Sequence, residues 1–82
     1  MTPRIDPESI DLAELTTQLS AAVQRPLEGS VEGRTQLRDA ALRLLGCSQL
    51  EAEQLIDTMV SRGFLRPERR DDGLTVWRLQ VA

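Results

Sequence analysis

The chain has 82 residues, 10 basic against 13 acidic, no histidine and a single cysteine. That size makes one domain spanning residues 1–82, and the residue inventory excludes a tetrahedral zinc site, a disulfide framework and a histidine-based triad. All 10 basic residues are arginine, which also removes Schiff-base chemistry and a phosphate-loop lysine, so the composition argues against an enzyme and toward a binding module with no cofactor, no metal and no evident small-molecule substrate.

The first helix is expected over about residues 7–24. Asp6 is the expected N-cap and Pro7 suits the first helical position. Leu12, Leu15, Leu19, Ala22 and Val23 make one apolar stripe, and Ile5 and Ile10 are placed to close a hydrophobic staple. Pro26 stops the helix near Gln24. Leu27 to Val31, with Gly29 inside it and Gly33 beyond, reads as a loop or a brief edge strand.

The second helix, about 36–45, is expected to start from Thr35 as N-cap. Leu37, Ala40, Ala41, Leu44 and Leu45 follow the helical period, and Gly46 is a left-handed stop. The third, about 49–62, opens on Ser48-x-x-Glu51, a capping box, and buries Ala52, Leu55, Ile56, Met59 and Val60 before Gly63 ends it. Gly46 and Cys47 alone separate the two helices, which is helix-turn-helix spacing.

A β-hairpin is expected over about 64–81. Phe64-Leu65-Arg66 starts one strand, the polar stretch from Pro67 to Gly73 turns the chain, and Leu74 to Val81 alternates. Thr75, Trp77, Leu79 and Val81 share one face. Trp77, the only tryptophan, is read as core in preference to an interface anchor. The fold class is therefore mostly α with a small antiparallel hairpin, in the order α-(β)-α-α-β-β.

This order resembles a winged helix-turn-helix domain of the bacterial repressor kind, over residues 35–79. The carrying residues are Thr35, Ala40-Ala41, Leu44 and Gly46, then Ser48, Leu55-Ile56, Met59, Gly63-Phe64-Leu65 and Asp72-Gly73. In DNA-binding members the third helix enters the major groove and the wing touches the backbone. Carried over by position, the outer face of the third helix presents Gln49, Glu51, Glu53, Gln54, Asp57, Thr58 and Ser61, with Glu51 engaged by the capping box. Backbone contacts would come from Arg34, Arg38 and Arg43, and from Arg66, Arg69 and Arg70 at the wing.

Charge separates the functions open to such a fold. Residues 1–33 sum to −4 and residues 34–82 to only +1, whereas phosphate neutralisation supplies most of a nucleic-acid binder's affinity. Carboxylates on a recognition helix repel phosphates. Gln49, Glu53, Gln54, Asp57 and Thr58 are accordingly read as a solvated face or as a recognition surface for a basic protein patch, both ahead of base readout. The Arg69-Arg70 pair is read first as a solvated turn, since Glu68, Asp71 and Asp72 surround it. Cys47 is read as a small buried group rather than a redox sensor. The leading expectation is a protein-recognition or adaptor module, with self-association through the first helix included; the alternative is a small DNA-binding regulator. No apolar run approaches the ~18 residues of a membrane span, and the lone cysteine fits a cytoplasmic location.

Overall fold

The computed structural model describes residues 10–23 and 27–81. Three helices, α1 (Leu12–Ala22), α2 (Ser30–Leu45) and α3 (Gln49–Ser61), precede an antiparallel hairpin of β1 (Leu65–Arg69) and β2 (Thr75–Leu79). The order is winged-helix-like and mostly α, as expected from the sequence. Leu12, Leu15 and Leu19 of α1, Leu37, Ala40 and Ala41 of α2, Leu55, Ile56 and Met59 of α3, and Leu65 and Trp77 of the hairpin join Leu27 in one buried cluster.

α1 is shorter than expected. Its N-cap is Asp11, in extended conformation, whose side chain accepts from the Glu14 backbone N–H at 3.1 Å. Asp6, Pro7 and Ile5 lie outside the described residues. Ile10 therefore precedes the cap instead of sitting within the helix, at the staple position relative to Leu15, and packs against the core. At the other end Ala22 is exposed, and Val23, now the extended C-cap, is half-buried and still packs against the core; the fully buried stripe runs from Leu12 to Leu19, joined by Thr16, whose hydroxyl donates to the Leu12 carbonyl at 2.7 Å.

α2 begins at Ser30, well ahead of the expected start at Gln36. Gly29, at φ 91°, is its N-cap, and Thr35 lies inside the helix. Gly33 accounts for the difference. A glycine costs a helix about 1 kcal/mol against alanine, which is why the sequence reads as a break there. In the fold, however, Gly33 is buried, and the indole of Trp77 lies so close that a methyl group on Gly33 would overlap its ring. The Trp77 Nε1–H donates to the Gly29 carbonyl at 3.0 Å, tying the same indole to the start of the helix.

The expected edge strand is reduced to a single bridge, Glu28 to Val76. The Gly29 N–H donates to the Thr75 carbonyl at 2.8 Å and the Trp77 N–H to the Leu27 carbonyl at 2.9 Å. β2 thus lies between β1 and this short segment. Because Trp77 turns its backbone toward Leu27, its cross-strand partner Pro67 faces the outer edge, where its missing N–H removes no ladder bond and blunts the edge against strand addition.

The remaining helix ends follow the sequence signals. Gly46 is left-handed at φ 64°, and the capping box of Ser48 and Glu51 is complete, with reciprocal bonds of 3.1 and 3.0 Å. α3 ends at Ser61, and Gly63 (φ 83°) and Phe64 donate to the carbonyls of Val60 and Met59 in a Schellman motif. Two apolar expectations fail. Leu44 is exposed because it lies at the flank of the α2 stripe, whose last turn packs on the core through Leu45 instead, and Val81 is exposed because β2 ends at Leu79. Trp77 is 6% exposed and belongs to the core.

Replacing Gly33 with alanine is expected to lower stability by about 1–3 kcal/mol despite alanine's better helix propensity, since the added methyl must displace the indole. Urea denaturation followed by Trp77 fluorescence measures this; a variant as stable as the parent would contradict the close packing.

Candidate recognition surface

α3 carries Leu50, Glu53, Gln54 and Asp57 at helical spacing on one face. α2 carries Val31, Arg34 and Arg38 at the same spacing. Where the two faces meet, opposite charges interlock. The Arg34 guanidinium reaches both carboxylates of this α3 face, Glu53 at 3.4 Å and Asp57 in a closer contact. Arg38 donates to Glu53 at 3.1 Å and to its own neighbour Asp39 at 3.0 Å. These hydrogen bonds, Asp39's first and then Glu53's, hold the Arg38 guanidinium above its usual pKa. The arginines are half-buried, so their aliphatic stems pack while their heads pair.

The sequence separates these residues into two groups, arginines for a phosphate backbone and acids for a partner. The structure brings both groups together. Gln49 and Gln54 remain exposed, and the half-buried Thr58 turns its hydroxyl back to the Gln54 carbonyl at 3.0 Å. Leu50, at 68% exposed, and Val31, at 69%, flank the ion-pair row one turn before Glu53 and one turn before Arg34. Neither was singled out from sequence. Leu50 falls outside the α3 stripe of Ala52, Leu55, Ile56 and Met59, and that mismatch was the available signal.

The hairpin shows the same self-pairing. Arg70 contacts Glu28 at 3.0 Å and Asp72 at 2.8 Å, and Arg78 pairs with Glu68. The Asp72 carboxylate also accepts from the Leu74 N–H at 3.0 Å, closing the turn. Its pKa is lowered, chiefly by the Arg70 hydrogen bond and then by the Leu74 N–H. Arg66 and Arg69 of β1, and Arg43 of α2, are exposed with no ion pair among the described residues. The expected wing contacts are therefore divided, with Arg70 engaged and the other two open.

Cys47 sits half-buried between α2 and α3. Burial raises its thiol pKa, a backbone hydrogen bond opposes this in part, and the Glu51 carboxylate adds to the rise. The thiol is thus held protonated, the reverse of an activated redox cysteine.

Two measurements check this electrostatic picture. In an NMR pH titration the Asp72 carboxyl should titrate below the usual aspartate range. The turn then keeps its Arg70 clasp through mild acid and loses it only as pH falls through the depressed folded value. Iodoacetamide at neutral pH should alkylate Cys47 more slowly than free cysteine, because less of it is thiolate; faster labelling would contradict the raised pKa.

No helix among the described residues is long and apolar enough to cross a membrane. Comparisons of the chain with protein-family models, with curated proteins and with solved structures found no match.

Proposed function

We propose that this chain is a non-catalytic winged-helix module of the cytoplasm that recognises a protein partner through the outer face of α3 and its junction with α2. The observation that carries this reading is the interlock of Arg34 and Arg38 with Glu53 and Asp57. A winged helix that reads DNA presses this junction against phosphates, and needs free cations there. Here the cations already hold carboxylates. The two arginines with Asp39, Glu53 and Asp57 sum to −1, a balance suited to a mixed polar and apolar interface. Leu50 and Val31 supply exposed apolar area at its margins.

A second reading, a small DNA-binding regulator, draws on Arg66 and Arg69, which project from the wing strand without ion pairs among the described residues. Fluorescence anisotropy separates the two. The protein reading expects no binding of random duplex DNA at low salt, together with lysate proteins that survive nuclease treatment on an affinity column and are lost with Leu50→Asp. Micromolar duplex binding that weakens steeply with salt would reverse the order.

A further inference from the structure

We propose that Glu53 and Asp57 are specificity-determining residues: their carboxylates occupy Arg34 and Arg38 as internal substitutes for phosphate, so that the α2–α3 face excludes nucleic acid and other phosphate polyanions. The proposal deepens the reading of this face as a protein-recognition surface and rests on it.

Carboxylate and phosphate offer a guanidinium the same kind of acceptor, paired anionic oxygens matching its fork of N–H donors. Arg34 bridges Glu53 and Asp57, and Arg38 is shared between Glu53 and Asp39. Arginine cannot be deprotonated in a protein, so its cation is always present, and here it is paired with carboxylates. An incoming phosphate would have to displace these carboxylates and then lie beside them, losing the existing pairs and adding like-charge repulsion at close range. The hairpin repeats the device in part, with Arg70 on Glu28 and Asp72 and Arg78 on Glu68, while Arg66 and Arg69 have no ion pair among the described residues. The pairs across the α2–α3 junction link residues 15 to 23 positions apart, so they form only when the helices are packed.

The test is Glu53→Gln with Asp57→Asn, which keeps side-chain size and turns the cluster from −1 to +1. Binding of a random duplex of about 20 base pairs, read by fluorescence anisotropy at low salt, should tighten at least roughly tenfold over the parent, and the slope of log affinity against log salt should steepen by about 1–2 as two phosphate contacts are gained. Adding Arg34→Ala and Arg38→Ala should abolish the gain. A control with the same change in net charge elsewhere, Glu14→Gln with Glu32→Gln, should leave binding near the parent's. A double variant that binds no more tightly than the parent, or a control that gains as much, overturns the proposal. Circular dichroism verifies folding. If the double variant does not fold, Asp57→Asn alone, at an exposed carboxylate, should give a smaller gain that Arg34→Ala removes, and no gain would again overturn it. A parent chain that itself binds duplex with steep salt dependence defeats the protein-recognition reading, while the ratio of variant to parent still decides this one.

Discussion

The indole of Trp77 lies against the bare α-carbon of Gly33, donates its N–H to the carbonyl of Gly29, and so fastens the hairpin to the first turn of α2. The contact favours helical backbone through Gly33, where propensity alone suggests a break, by replacing exposure of the glycine backbone with burial against an aromatic ring. It also fixes the side from which the hairpin approaches. With the helix extended back to Ser30, Arg34 becomes a helical residue one turn before Arg38. Were α2 to begin at the residue after Thr35, Arg34 would lie in the preceding loop with no fixed direction. The position of the charge interlock thus depends on an apolar contact on another side of the same helix.

The interlock illustrates how a surface's chemistry differs from its list of charges. α3 carries Glu51, Glu53 and Asp57, yet its outer face is not a free anionic patch. Glu51 caps its own helix, and Glu53 and Asp57 hold arginines from α2. Individual exposed pairs contribute little to stability, about 0–1 kcal/mol each, so the larger consequence concerns partners. Arginines held by carboxylates offer little to a polyanion, and carboxylates held by arginines offer little to a polycation. The junction itself is polar but balanced in charge, and it is bordered by the exposed Leu50 and Val31.

Much of the fold was legible because its determinants are local. The helical stripes of α2 and α3, the Ser48–Glu51 box, the left-handed Gly46 and Gly63, and the Asp-Gly turn are each written within a few residues, and each appears in the structure. The alternation of β2 grouped Trp77 with Thr75 and Leu79, and the need of so small a chain for buried area pointed to that face as the core side, where Trp77 lies. The misplaced boundaries have equally physical causes. The cap of α1 is Asp11, whose side chain accepts from the Glu14 N–H, a signal as local as the one read at Asp6. Leu44 fits the helical period but lies at the flank of the stripe, where Leu45 and not Leu44 meets the core.

The candidate surface was legible as residues but not as an arrangement. Helical spacing placed Glu53 and Asp57 on one face of α3, and Arg34 and Arg38 stood out as cations beside α2, because periodicity within one helix is a property of the chain. That these groups are one another's partners depends on the angle and offset between two helices and on where α2 starts. Those are set by core side chains and by Trp77, which come from distant parts of the sequence. Sequence alone determined the elements, their order and the charges each carries. Tertiary structure decided which charges meet, since an ion pair forms only across a distance that packing has already closed.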